Sequence, residues 1–316
     1  SEMCIRDRAN VATPKHLQRL FSKLFRDVSG VKIRILNAKK LQKEGYGLIT
    51  AVGQGAQSPP CMMIVERKGS GTGTYNKKVA VVGKGITFDS GGMSLKPTQQ
   101  LMRMKYDKMG AVYAAYAIYQ LIRDPNLKQH TFIGVFPLAE NAISDKAVHS
   151  GDVIKSFIGK TVEITDPDAE GRLILADAFG YLHSYQPDVL LDIATLTGHA
   201  ETIHCDHSGY FYASSDKWKH AIEKASFTLG ERMIAMPTWT SGYEGLLDSP
   251  VADYVNSPKS SCSSSSFVAT LFLKEFIPKD CDWLHIDLAH ETEGMVPVGH
   301  GIRTLIHAVH AWVHKK

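Results

Sequence analysis

The stretch TVEITDPDAEGRLILADAFGYLHSYQPDVLLDIATL, residues 161–196, contains the repeating unit from which the fold can be predicted. Its first residues predict a strand, which is followed by an acidic turn at residues 166–170. The segment GRLILADAFGYLHSY then predicts a helix, and DVLLDIATL predicts a buried strand. Alternation of this kind favours an α/β domain with a largely parallel sheet.

The same alternation continues on both sides of this stretch. Helices are predicted at residues 11–27, 109–122, 216–229, 265–277 and 301–314. Further strands are predicted at VKIRILN, PCMMIVERK, KKVAVVGKG, HTFIGVFPLA, HSGYFYAS and DWLHIDLAH, and a loop at SSCSSSS, residues 260–266. We therefore expect a mixed, mainly parallel β-sheet sandwiched between helices.

Composition excludes several classes of protein. The chain has 316 residues, of which 44% are hydrophobic and 22% charged, as in ordinary soluble globular proteins. The net charge is only +4 and no basic block is interleaved with aromatic residues, which argues against nucleic acid as a partner. No apolar run approaches the roughly 20 residues that a membrane span requires, so no membrane association is expected.

The cysteines indicate the compartment. Five cysteines are widely spaced without a C-x-x-C pair, which argues against a disulfide scaffold or a cysteine zinc site. This usage is typical of a reducing compartment, and we expect a cytoplasmic protein. The opening SEMCIRDR, residues 1–8, is unlike the rest and is expected to be a non-native leader, with one domain over 9–316.

Chemically active side chains gather at two predicted junctions between strands and helices. The first is VGKGITFDSGGMSLK, residues 82–96, where Lys84 follows an apolar strand and Asp89 and Lys96 come after it. Asp107 lies just before the next helix. The second junction is the acidic turn at 166–170. In α/β sheets, sites form where strands end and loops begin.

Four acidic residues of these junctions lie beside apolar elements: Asp89, Asp107, Asp168 and Glu170. Buried carboxylates without partners protonate or destabilise the fold, and the basic Lys84 and Arg172 do not balance four acids. Divalent cations would balance the charge of these acids, and oxygen ligands suit Zn²⁺, Mn²⁺, Mg²⁺ or Co²⁺. Four carboxylates could bridge two such ions roughly 3.5–4 Å apart.

The basic side chains then have separate roles. A nearby cation would lower the pKa of Lys84, so that a neutral amine could serve as a nitrogen ligand. Lys96 and Arg172 are expected to stay cationic and to stabilise negative charge that develops on a substrate.

Long motifs resemble the leucyl aminopeptidase family of two-metal cytosolic exopeptidases. They are VGKGITFDSGG, SLK, the Asp107 that precedes MGA, DAEGRL followed by LADA, and DIATLTG, in the family's order. The similarity runs from about residue 10 to the C-terminus, and its ending, WLHID and GIRTLI, resembles a bacterial, peptidase B-like branch. The resemblance implies a zinc-exopeptidase-like domain that removes the N-terminal residue of peptides.

The resemblance also implies a role for each matching residue. The more exchangeable ion would be held by Lys84, Asp89, Asp107 and Glu170. The other would be held by Asp89, Asp168 and Glu170, with the backbone carbonyl of Asp168 helping. Lys96 would polarise the scissile carbonyl, while Arg172 would anchor a bicarbonate that acts as the general base on a bridging water. The substrate site would be lined by Met104, Thr195, Leu196 and Gly198.

The family further implies how substrates and partners are arranged. The free α-amine of a peptide would bind a metal, which restricts cleavage to the first residue. Family members form homo-oligomers, usually hexamers built as a dimer of trimers, and the same is expected here. They also carry a smaller N-terminal domain, which we expect to be absent from this chain.

The chain departs from the family's pattern at several positions. The turn before the shared motif holds Asp166 and Pro167 where Asn-Thr is usual, and Lys108 is inserted between Asp107 and Met-Gly. Near the substrate pocket, His199 and the segment Ser263–Phe267 replace smaller residues. These changes bear on side-chain preference and not on hydrolysis.

Several other motifs fit less specific interpretations. A single acidic turn is usually a cap or a solvated loop, and HCDH at 204–207 does not have zinc-site spacing. GSGTGT at 69–74 precedes a strand, not the helix of a nucleotide loop. Ser90 lacks the nucleophile elbow of a serine hydrolase. A non-catalytic oligomeric or binding protein with the same fold is the alternative function.

Overall fold

The computed structural model describes residues 8–198, 208–258, 265–288, 292–293, 296–297 and 299–314. The strands are β1 Val31–Asn37, β2 Cys61–Arg67, β3 Lys78–Gly83, β4 Gly85–Asp89, β5 Thr131–Asn141, β6 Val153–Lys155, β7 Thr161–Glu163, β8 Val189–Ala194, β9 Gly209–Ala213, β10 Met233–Ala235, β11 Tyr254–Val255, β12 Asp282–Asp287, β13 Thr292–Glu293 and β14 Val296–Pro297. The helices are α1 Pro14–Phe25, α2 Ala38–Glu44, α3 Gly47–Gly53, α4 Thr98–Leu101, α5 Met109–Arg123, α6 Gly171–Leu182, α7 Asp216–Leu229, α8 Ser265–Lys274 and α9 Ile302–His314.

A mixed sheet of nine strands forms the centre of the molecule, in the order β1-β2-β5-β3-β8-β12-β9-β10, with β4 beside β5. The neighbours β5, β3, β8 and β12 run parallel to one another. Antiparallel pairs occur at β1–β2, β2–β5 and β12–β9. The predicted mixed, mainly parallel sheet is confirmed.

Helices cover both faces of this sheet, as the alternating sequence predicts. One face packs against α1, α5, α7 and α9, through side chains such as Phe21, Ile118, Trp218 and Leu305. The other face packs against α2, α3, α6 and α8, through side chains that include Leu41, Phe179 and Phe272. No helix in the described part of the chain combines the length and apolar character needed to span a bilayer.

Helix α1 shows how local sequence sets an element's bounds. Thr13 is its N-cap, and its hydroxyl accepts a hydrogen bond from the His16 amide at 3.3 Å. Pro14 occupies the first helical position, where no backbone donor is needed. The helix therefore begins at Pro14 and ends at Phe25, inside the predicted 11–27.

Two predicted strands differ from the structure. The segment KKVAVVGKG is interrupted at Lys84, whose amide donates to the Ile193 carbonyl and whose carbonyl accepts from the Ala111 amide. The chain thereby passes from β3, which lies between β5 and β8, to β4, which pairs with β5. The strand before the acidic turn, β7, belongs to a separate three-stranded sheet with β6 and β11. The acidic turn at 166–170 therefore follows a strand of this second sheet and not a strand of the central sheet.

Asp177 anchors helix α6, which follows the acidic turn. Its carboxylate is buried and accepts hydrogen bonds from the Ile49 amide at 3.0 Å and the Phe157 amide at 2.8 Å. These bonds join α6 to α3 and to the loop after β6, so the first residues of α6 are held in place against the sheet.

Candidate functional site

Polar side chains from both predicted junctions meet at the carboxyl edge of the central sheet. Asp89, Asp107 and Glu170 are buried, and each offers an oxygen that lies within 4.8 Å of the others. Lys84 reaches into this group: its Nζ is 2.7 Å from Asp107 Oδ1 and 3.1 Å from Glu170 Oε1. Residues that are far apart in the sequence therefore lie together. We call the carboxylates of Asp89, Asp107, Asp168 and Glu170 the acidic cluster.

Lys96 connects Asp168 to the rest of the acidic cluster. Its Nζ lies 2.9 Å from Asp89 Oδ2 and forms a short ion pair with Asp168 Oδ1. The Lys96 side chain is 13% exposed whereas that of Lys84 is 3% exposed. Lys96 is therefore the ammonium group that faces outwards.

Each member is placed by the end of a secondary-structure element. Lys84 lies at the break between β3 and β4, Asp89 ends β4, and Asp107 precedes α5. Glu170 is the N-cap residue of α6, and Gly171 comes next. A Cβ at Gly171 would lie 2.4 Å from Lys84 Cε, so only glycine lets the lysine cross the start of α6.

Burial and mutual repulsion disfavour the ionised form of these carboxyl groups. Burial, followed by repulsion from neighbouring carboxylates, raises the pKa of Asp168 to about 7 and that of Glu170 to about 8. Burial also raises the pKa of Asp107, against the opposing effect of Lys84. Burial alone would lower the pKa of Lys84, but Asp107, Glu170 and Asp89 outweigh it and raise that pKa.

These observations fit a divalent cation. Four carboxylates face two ammonium groups, which leaves negative charge in excess inside a buried site. Among the described residues, no hydrogen-bond partner approaches the buried Asp107 Oδ2. A set of carboxylate oxygens with one lysine nitrogen suits Mn²⁺, Zn²⁺ or another ion of that class.

The raised pKa values predict how stability depends on pH. A carboxyl group whose folded pKa exceeds its unfolded value near 4 stabilises the fold at low pH and loses that contribution as pH rises through the folded pKa. We expect the metal-free protein to lose roughly 2–4 kcal/mol between about pH 5 and about pH 8. Saturating Mn²⁺ should remove this loss, because the cation replaces the protons. Urea unfolding over this pH range measures both, and identical curves with and without Mn²⁺ would contradict the expectation.

Arg172 is buried in the first turn of α6 beside the acidic cluster. Its Nη1 donates to the Asn256 carbonyl at 2.7 Å. Burial lowers the pKa of its guanidinium to about 10, which keeps the side chain cationic at neutral pH. Among the described residues, its Nε has no hydrogen-bond partner, so a donor is available for a small anion.

The predicted substrate-lining residues have different surroundings. Thr195 supports the acidic cluster: its hydroxyl donates to Asp107 Oδ1 at 2.8 Å and its carbonyl accepts from Lys84 Nζ at 2.7 Å. Leu196 packs partly buried against the core, and Met104 is buried in a short turn before Asp107. Gly198 is exposed, and no atom of the described residues lies within 4 Å of where its Cβ would be.

Some positions singled out in the sequence lie outside the described residues, namely His199, HCDH at 204–207, and residues 260–264 of the serine run. Phe267 is described and is buried. Ser90 is fully engaged with its neighbours, since its hydroxyl donates to the Asn141 carbonyl at 2.8 Å and accepts from the Gly92 amide at 3.1 Å. This arrangement does not suit a nucleophile.

Sequence reasoning missed two buried residues that hold the site together. Asn141 ends β5 and donates to Asp89 Oδ1 at 2.9 Å. Asp287 ends β12 and accepts from the amides of Leu196 and Thr197, at 3.0 and 3.2 Å. Their common signal is a polar residue at the carboxyl end of an apolar strand, where sites of α/β sheets form.

Two cavities differ in chemistry. A cavity of about 440 Å³ adjoins the acidic cluster and is lined by Ser94, Thr165, Asp166, Asp168, Ser257 and Pro258. A larger groove of about 1370 Å³ lies between α1 and α5 and contains none of the cluster's carboxylates. We assign the site to the smaller cavity, because Asp168 of the acidic cluster lines it.

Comparison with known proteins agrees with the geometry. Residues 2–306 match the family model described as the cytosol aminopeptidase family, catalytic domain. The chain is 36% identical over 319 aligned residues to a probable cytosol aminopeptidase of Prochlorococcus marinus, covering 97% of this chain and 62% of the relative. It is also 36% identical to one from Syntrophotalea carbinolica, over 89% of this chain and 54% of that protein. The chain thus spans about three fifths of such relatives' length.

Solved structures show the same similarity. An apo leucyl aminopeptidase from Trypanosoma cruzi has a TM-score of 0.90 at 30% identity, covering 97% of this chain and 60% of that one. The bottromycin maturation enzyme BotP in complex with Mn has a TM-score of 0.89 at 30% identity, covering 99% of this chain and 69% of that one. From the match over residues 2–306, the chain belongs to the cytosol aminopeptidase family and contains its catalytic domain.

Proposed function

We propose that this chain is the catalytic part of a metal-dependent aminopeptidase that hydrolyses the N-terminal residue from peptides. The observation that carries the proposal is the buried acidic cluster with Lys84 inside it and Lys96 at its outward side. Family membership supports the reaction class, and the Mn named for BotP supports the cofactor class. No observation supports the alternative of a non-catalytic binding protein.

The acidic cluster would hold two divalent cations, Zn²⁺ or Mn²⁺ and, alternatively, Mg²⁺ or Co²⁺. Lys84, Asp89, Asp107 and Glu170 would hold one ion, and Asp89, Asp168 and Glu170 the other. Such ions, when bound, polarise a carbonyl oxygen and lower the pKa of water. In their presence Lys84 would act as a neutral amine, since two nearby cations oppose its protonation.

The remaining residues act on the substrate. Lys96, the more exposed of the two ammonium groups, would stabilise negative charge on the oxygen of the scissile carbonyl. Arg172 would hold a bicarbonate that accepts the proton of the attacking water. Met104, Thr195, Leu196 and Gly198 would line the site, and a free α-amine would be required of the peptide.

The setting of the enzyme is part of the same proposal. The similarity to probable cytosol aminopeptidases supports a cytoplasmic location. The resemblance to the leucyl aminopeptidase family supports a homo-oligomer, up to a hexamer arranged as a dimer of trimers.

A panel of amino-acid amides tests the proposal. The protein stripped by a chelator should be inactive, and added Mn²⁺, Zn²⁺ or Co²⁺ should restore hydrolysis. Amides whose α-amine is acetylated serve as matched controls and should not be cleaved. Activity that survives chelation, or equal cleavage of free and acetylated substrates, would contradict a metal-dependent aminopeptidase.

A further inference from the structure

Asn141 joins the two segments that supply the acidic cluster. It is 2% exposed and stands at the end of β5. Its side-chain nitrogen lies 2.9 Å from Asp89 Oδ1 and 3.1 Å from the Pro167 carbonyl. A primary amide has two N–H groups, so both donors are used, one for each segment.

The backbone of Asn141 reinforces this connection. Its carbonyl accepts from the Ser90 amide at 3.0 Å and from the Ser90 hydroxyl at 2.8 Å. Asp89 and Asn141 are also paired in the register of β4 and β5. One buried residue therefore holds Asp89, the following Ser90 and the carbonyl just before Asp168.

The amide also determines which oxygen of Asp89 faces the cluster. Oδ1 accepts from Asn141 and from the Gly91 amide, the latter at 2.9 Å. Oδ2 points to the Lys96 ammonium at 2.9 Å. Because two neutral donors engage Oδ1, the carboxylate cannot rotate without breaking both bonds, and Oδ2 stays directed at Lys96 and away from Asn141.

We propose that Asn141 is a positioning residue for divalent-cation binding, which acts through Asp89 and through the spacing between the segments at 89–91 and 167–170. This inference deepens the proposed function and rests on its metal site. Groups that orient metal ligands typically change metal affinity about 10–100-fold when they are removed.

Two substitutions remove the amide in different ways. Asn141→Asp preserves size and shape, but an ionised carboxylate only accepts hydrogen bonds and would face Asp89 Oδ1 and the Pro167 carbonyl. Asn141→Ala removes the donors without adding charge. Ser226→Ala is the matched control: its buried hydroxyl donates to the Glu231 carbonyl at 2.6 Å and accepts from the Met233 amide at 3.0 Å, outside the cluster.

The test is calorimetric titration of the metal-free variants with Mn²⁺, with thermal unfolding measured alongside. We expect both Asn141 variants to fold and to bind Mn²⁺ about 10–100-fold more weakly than the wild type, with Ser226→Ala unchanged. Excess Mn²⁺ should restore most of the hydrolysis rate of Asn141→Ala, which a general loss of structure would not permit.

Three results overturn the inference. The first is Mn²⁺ affinity within about twofold of the wild type in both Asn141 variants, and the second is equal weakening of Mn²⁺ binding in Ser226→Ala. The third is failure of both Asn141 variants to fold, which would assign the amide to global stability. A wild-type chain that binds Mn²⁺ without cleaving any amide would refute the proposed function alone. A wild-type chain that binds none of Mn²⁺, Zn²⁺, Co²⁺ and Mg²⁺ would refute both.

Discussion

Replacing Glu170 by glutamine is expected to lower kcat/KM by about 10³-fold, or roughly 4 kcal/mol, and to reduce the Mn²⁺ content of the protein. Glu170 is 2% exposed and lies 3.1 Å from Lys84. In the proposed site it is shared between both cations, so glutamine keeps the shape but removes charge from both. Steady-state kinetics and metal analysis of the purified variant measure the two effects.

Glu275→Gln is the matched control for this substitution. Glu275 pairs with Lys160 at 3.1 Å, and its side chain is 38% exposed and does not belong to the acidic cluster. Partly exposed ion pairs contribute little, so activity and metal content should stay within about twofold of the wild type. A Glu170→Gln enzyme that retained full metal content and activity would exclude the proposed ligand set.

Lys96→Met is expected to lower kcat by about 10²–10³-fold while Mn²⁺ affinity is maintained or rises. The ammonium now faces Asp89 and Asp168, and its removal relieves repulsion with an incoming cation. Loss of the same group would leave negative charge on the carbonyl oxygen without its counter-charge in the transition state. Kinetics, Mn²⁺ titration and the mass of the assembled particle distinguish these contributions.

Lys43→Met, at an exposed position of α2, supplies the control and should leave all three measurements unchanged. Equal losses of Mn²⁺ affinity and of rate in Lys96→Met would indicate that Lys96 supports the metal site and not the transition state. An unchanged rate would remove Lys96 from the mechanism.

The parts of the fold that the sequence predicts well are those with strong local patterns. Apolar runs bounded by turns placed β3, β5, β8 and β12, and their alternation with helices implied the parallel centre of the sheet. The charged residues of 82–107 and 166–172 stood at predicted junctions, and the structure brings their side chains together. Their roles as ligands and catalytic groups stay predictions.

What the sequence could not predict depends on contacts between distant segments. The interruption of a strand at Lys84 results from bonds to Ile193 and Ala111, which no local pattern encodes. The separate sheet of β7 depends on pairing with β11, about ninety positions along the chain. Asn141 and Asp287 were missed because each looks like an ordinary strand end until its partners are known.

The anchoring of the loop after β8 by Asp287 bears on how the protein matures. The ribosome makes Lys84 and Asp107 before the later strands of the central sheet. The loop that carries Thr195, whose carbonyl accepts from Lys84, is held through its backbone amides by Asp287 at the end of β12. A chain still emerging from the ribosome therefore displays its acids before their scaffold exists. Under the proposed function, hydrolytic competence therefore arrives only after β12 has been made.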